Sequence, residues 1–192
     1  MLATGGIVGP LAFVSAWAIA GAVGDFSPTN DAISDLAAVG ASTRVAMTLG
    51  FIVFGVGLIA FGLALRSVLD GPAWIAAVVT GSATLGVAAT PLGGWAGDGM
   101  HAVFAGIGYV SIAAVPLLTA PTLRRAGRTG WAVASVLVGG LVAGFLAAST
   151  LGPEHGLWQR LGLTISDVWI VVVAVGIVAT DAGIRRARRP AA

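Results

Sequence analysis

Asp31 and Asp35 stand four positions apart, one turn of helix, so on a helix both carboxylates project from one face. Two carboxylates with an imidazole nearby bind a divalent cation or polarise a water for hydrolysis. Asp98, His101, Glu154, His155 and Asp167 add ligand-type or acid/base groups, a rich set for a chain only 9% charged. Asp35, His101 and Asp167 are the candidates for catalytic acid, base or metal ligand. Asp31, Asp35, Asp98, His101, His155, Trp158 and Asp167 are the candidates for ligand binding. Each acid or imidazole also has a structural reading. Asp98 precedes an apolar run and suits a helix cap, while Asp167 follows Thr164 by three, like a capping box with Asp in place of Glu. His155 suits simple solvation, and His101, at the mouth of a span, suits a hydrogen-bonded structural role. Neither HExxH nor HxxxH occurs, and no glycine-rich phosphate loop or G-x-S-x-G elbow is present. With no cysteine there is no disulfide framework and no thiolate site. The sequence therefore assigns no metal and names no cofactor, and a reactive centre would require convergence in space.

The elements that must position these groups are hydrophobic. At 57% hydrophobic residues and a mean hydropathy of +0.98, the chain lies far from a soluble domain, which carries roughly 25% charged residues. Apolar runs near 6–24, 45–65, 73–92, 101–120, 131–150 and 163–184 are each long enough to cross a hydrocarbon layer of about 30 Å. They lack strand alternation, so the expected fold is all-α: an integral membrane bundle of six transmembrane helices in a single domain, 1–192. No Arg or Lys precedes the first run, so it reads as a retained span and not a signal peptide.

Between the first two spans, Asp25 to Arg44 leaves hydrocarbon. Ser27 followed by Pro28 predicts a helix start and Gly40 its stop. Ala32, Ile33, Leu36 and Ala37 would share one face and Asn30, Asp31, Ser34 and Asp35 the other, as in a short helix lying in the membrane interface or dipping into the protein.

All ten basic residues are Arg, and eight of them (Arg66, Arg124, Arg125, Arg128, Arg185, Arg186, Arg188 and Arg189) follow the second, fourth or sixth span. Arg44 and Arg160 fall on the other side. The positive-inside rule then puts both termini in the cytoplasm of a multi-pass cell-membrane protein. The acids and both histidines gather mostly at the opposite boundary, as an extracytoplasmic cap. Trp74 and Trp131 fit inner anchors, and Trp95 and Trp158 fit outer loops. The basic runs are short and lack interleaved aromatics, which argues against nucleic acid. The lipid bilayer is the expected partner, with a lipid headgroup or another membrane protein as a further one.

Inside the spans, Gly140-x-x-x-Gly144, Ser82-x-x-x-Gly86 and Ala102-x-x-x-Gly106 point to close helix packing. Pro10, Pro91 and Pro116 mark places where a helix bends or ends. Asp167 lies about one turn inside the sixth span, where an unpaired carboxylate would cost up to about 2.5 to 3.5 kcal/mol at mid-membrane. That cost predicts a partner among Arg44, Arg160 and His101. Asp181 has Arg185 four residues later, a favourable helical pair.

Phe26-Ser27-Pro28, Asp31-x-Ile33-Ser34-Asp35-Leu36, His101 and Gly156-Leu157-Trp158-Gln159-Arg160 together resemble the bacterial membrane family "domain of unknown function 998" over nearly the whole chain. That resemblance implies six helices and no established activity. The Ile-Ser-Asp in the first outer loop and the His heading a later span are also similar to the eukaryotic Frag1/DRAM/Sfk1 group, linked to membrane lipid organisation and autophagy. This chain has Ala38-Val39-Gly40 where that group has Pro-Pro-Glu, so no role is carried over.

Three functions fit these features. The first is a non-enzymatic protein that binds a lipid headgroup or partner protein through its acidic and histidine cap. The second is a membrane-embedded lipid-processing enzyme, hydrolytic or metal-dependent. The third is a small-molecule transporter, which would need buried charge near the midplane.

Overall fold

A computed structural model describes residues 2–187, with side chains described through 180. The Asp181 to Arg185 pair and the Arg188 and Arg189 anchor lie outside the described side chains. Six helices account for the fold: α1 (Gly5–Val23), α2 (Arg44–Val68), α3 (Ala73–Ala89), α4 (Gly97–Arg125), α5 (Thr129–Ala148) and α6 (His155–Ala187). Five of them are long and apolar enough to cross a membrane, and α3 is a shorter apolar helix of 17 residues. At 1.5 Å per residue α3 covers about 25 Å. Thr90 ends it because the residue before a proline avoids the helical region; Thr90 sits at φ −120°, ψ 65°. Pro10, Pro116 and Pro121 stay inside their helices.

Consecutive helices pack on each other as an antiparallel ring, and α6 closes it against α1. The core runs through the middle of α2, with Met47, Leu58 and Phe61 completely buried and the Phe13 ring of α1 tilted against Phe54 at 4.9 Å between centres. Glycine sets how close the helices come. A methyl at Gly57 would lie 2.6 Å from the Gly5 carbonyl, and one at Gly55 would lie 2.8 Å from that of Gly81. Gly86 likewise receives the Phe104 ring. Gly106, Gly140 and Gly144, by contrast, have no neighbour on the side where a Cβ would stand. Small-residue spacing in α5 and at the end of the α4 motif therefore faces outward and closes no helix pair.

Arg66, Arg124, Arg125 and Arg128 collect at one end of the ring, where Arg66 lies 4.8 Å over the Trp74 ring and Thr122 donates to the Asp70 carbonyl at 2.6 Å. The opposite end carries Asp25, Asp31, Asp35, Asp98, Glu154 and both histidines.

Two elements differ from expectation at that acid-rich end. The helix expected from Pro28 to Gly40 is a single turn at Ser27–Asp31, an extended Ala32, and a 3-10 turn over Ile33–Ala37. The acids themselves interrupt it. Asp31 accepts the Ser27 N–H at 2.7 Å and Asp35 accepts the Ala32 N–H at 2.8 Å, so each turn is closed locally before helix can propagate. Asp31 and Asp35 consequently share no helix face. Ile33, Leu36 and Ala37 are buried, and they draw the loop into the bundle. The second difference is α6, which begins at His155, eight residues before 163. Asp167 is therefore twelve residues into the helix (167 − 155), about three turns, and cannot serve as an N-terminal cap.

Candidate functional site

The first turns of α6 grip the loop between α1 and α2. The Leu157 N–H donates to the Thr29 carbonyl at 3.0 Å, and the Ile33 N–H donates to Gln159 Oε1 at 2.8 Å. Arg160 Nη1 donates to the carbonyls of Pro28 at 2.8 Å and Asp31 at 3.0 Å. Its guanidinium lies 4.7 Å from the Phe26 ring centre and 5.6 Å from that of Trp17, an aromatic bed that compensates for lost hydration. Gly156 makes the approach possible, since any Cβ there would collide with the Asp31 carbonyl. The loop is fastened on its other side too. The Val39 N–H donates to Leu92 O at 2.9 Å and Thr43 Oγ1 to Leu36 O at 2.8 Å.

Beneath the 3-10 turn is a cavity of about 60 Å³. Phe13, Phe51, Phe54 and Phe104 give it apolar walls, and Ser34, His101, Tyr109 and Gln159 bring polar atoms to it. That volume matches roughly two waters at about 30 Å³ each. The donor and acceptor roles follow from the bonds already made. A carbonyl only accepts, so His101 Nδ1, 2.7 Å from Thr90 O, carries its proton, and in the neutral ring Nε2 is left as an acceptor. Gln159 Nε2 donates to the Tyr109 hydroxyl, which leaves the phenol's own proton to give. His101 and Tyr109 both border one small space.

The sequence candidates divide accordingly. His101 is buried, lines the cavity, and is hydrogen-bonded as a structural histidine would be. Asp35 is exposed and Asp31 half-buried, and both carboxylates serve their own loop. Asp98 lies in the first turn of α4 and accepts the Gly93 N–H at 2.8 Å, so it fastens the preceding loop and does not cap its own helix. His155 is the half-buried first residue of α6. Trp158 is helical and stacks at 5.7 Å on Phe145 of α5, outside the loop expected for it. Asp167 is 3% exposed with both oxygens unpartnered; Arg44, Arg160 and His101 all fail to reach it. Of the catalytic trio Asp35, His101 and Asp167, only His101 borders the cavity. Among the described residues no three His, Asp or Glu side chains are grouped as a metal ion would require.

The protein-family model described as "Protein of unknown function (DUF998)" matches residues 7–176, from α1 into α6. The chain belongs to the DUF998 family. No curated protein and no solved structure matches it. Within this DUF998 chain, Tyr109 and Gln159 are the site residues that residue-type reasoning passed over. Gln159 carried a signal in the sequence, being an amide beside an arginine at the head of an apolar run. Tyr109, the one tyrosine of the chain, sits mid-span and carried less.

Proposed function

We propose that the protein is a non-enzymatic membrane receptor for a hydroxyl-bearing amphiphile, whose head enters the cavity below the 3-10 turn at the acid-rich end. The observation that carries this reading is that His101, hydrogen-bonded through Nδ1, and Tyr109, whose hydroxyl accepts from Gln159, border one small cavity with Ser34 inside phenylalanine walls. A hydroxyl group is both donor and acceptor and satisfies the two together, and a cavity of about 60 Å³ admits that end of a ligand and not its chain. The acidic cap of the sequence reading becomes the fastening of the loop, and the ligand groups move inward to His101, Ser34, Tyr109 and Gln159. The experiment is thermal unfolding of the purified protein with a long-chain monoacylglycerol or with the fatty-acid methyl ester of the same chain, which has no hydroxyl. Stabilisation by the monoacylglycerol alone is expected, with loss in His101→Phe and Tyr109→Phe. Equal stabilisation by both compounds, or no change in the two variants, would refute it.

The partnerless Asp167 favours a second reading, transport coupled to a proton or cation. Arg160, also with unpartnered buried nitrogens (Nε and Nη2), lies seven residues earlier on the same face of α6, roughly 10 Å along the axis. In proteoliposomes this reading expects pH-gradient-dependent uptake abolished by Asp167→Asn. Uptake indifferent to that change would dismiss it.

A further inference from the structure

A larger space lies at the opposite end from the cavity, and no function has been attached to it. The ends of α2 and α4, the start of α5 and the middle of α6 diverge around a groove of about 460 Å³. Its walls are Leu69, Leu123, Val172, Val173 and Ile177, with Arg128 and Trp131 at the arginine-rich end.

Three hydroxyls also line it, and each is already spent. Thr119 Oγ1 donates to Val115 O at 2.8 Å, Ser135 Oγ to Trp131 O at 2.8 Å, and Thr180 Oγ1 to Gly176 O at 2.9 Å. Ser135 Oγ in turn receives the Trp169 indole N–H at 3.2 Å. Hydroxyl protons committed to their own helix leave a wall with nothing to donate to a ligand, so hydrocarbon suits the interior. The volume lies within the roughly 300 to 1,000 Å³ of ligand sites.

The mouth has the opposite character. Arg128 is exposed, and its guanidinium makes no contact with another described group. Arg124 and Arg125, just before Arg128 in the chain, line a separate groove with Leu117, Pro121 and Val133, and Asp70 is the one acidic side chain described at this end. Trp131 is half exposed beside Arg128, the level at which an indole meets headgroups.

We infer that this groove holds one anionic phospholipid, with an acyl chain between α4, α5 and α6 and its phosphate on Arg128. A free arginine at the mouth of an apolar recess is complementary to a negative head on a hydrocarbon tail. A zwitterionic lipid offers the same tail but no net negative charge to Arg128.

Native mass spectrometry of the detergent-solubilised full chain, titrated with dioleoyl phosphatidylglycerol or dioleoyl phosphatidylcholine, tests the inference. The wild type should retain phosphatidylglycerol preferentially, and Arg128→Gln should reduce that retention about fivefold, the worth of one arginine at a membrane surface. Gly176→Leu should also evict the lipid. Gly176 borders the groove, and a Cβ there meets open space, so the new side chain fills the recess without a clash in the fold. Arg66→Gln, at the same end but stacked on Trp74, should retain lipid as the wild type does. Equal retention of the two lipids by the wild type overturns the inference. So does undiminished retention in both Arg128→Gln and Gly176→Leu, or an equal loss in Arg66→Gln.

Discussion

Gln159 is the residue on which the acid-rich end turns, because its amide joins three elements: it accepts from Ile33 of the loop, donates to Tyr109 of α4, and is itself part of α6. Gln159→Leu removes both bonds and leaves the buried Ile33 N–H without an acceptor, at a cost of about 1 to 3 kcal/mol. Thermal unfolding in detergent should show that loss. Tyr109→Phe should cost less, since it removes a hydroxyl and strands no backbone group. Gly156→Val acts on the same join by steric means. Its side chain displaces the Asp31 and Thr29 carbonyls, so a cysteine placed at Ser34 should react with a water-soluble maleimide much faster in that variant than in the parent. At this scale the sequence was legible for residue type and misleading for role. Asp31 and Asp35 advertised shared chemistry through their spacing, but a carboxylate close to free backbone amides binds those first. Asp167 was recognisable as costly, and its isolation was not, because isolation depends on where Arg160 spends its donors.

Helix ends and helix faces follow different logic. All six helices were readable from apolar run length, and most limits agree within a few residues. The start of α6 was hidden because Gln159 and Arg160 make the segment look like an exit from the membrane. Both side chains are in fact buried under the loop, at 8% and 6% exposure, so the helix continues through a stretch whose composition argues against it. Glycine spacing shows the same limit. Gly140 has the small-residue spacing and touches nothing, while Gly57, with Val53 and Phe61 four residues to either side, touches a neighbouring backbone. Gly57→Val should therefore force α1 from α2 and cost about 1 to 3 kcal/mol as an overpacked contact. Gly140→Val should leave the unfolding temperature of the purified protein unchanged.

The whole molecule is polar in the electrical sense, with arginine at one end and carboxylates at the other, and that asymmetry was legible from charge placement alone. Its orientation in the cell is a prediction. With no native cysteine, single cysteines can be introduced without background. A probe at Ala126 should resist an impermeant maleimide in intact cells and react after lysis, while one at Gly152 should react in both. The two internal spaces could not be foreseen, because each is bordered by side chains from at least four separated stretches of chain.

The bonds that seat the loop between α1 and α2 on α6 join positions 126 to 132 residues apart. At about 5 to 20 residues per second, the ribosome needs roughly 6 to 26 s to deliver the partner strand of chain. For that interval the newborn loop lacks the α6 half of its seat, and only the Val39 to Leu92 and Thr43 to Leu36 bonds can hold it. Truncation before α6 should therefore yield a nascent protein with that loop open to protease, and completion of the last helix should close it.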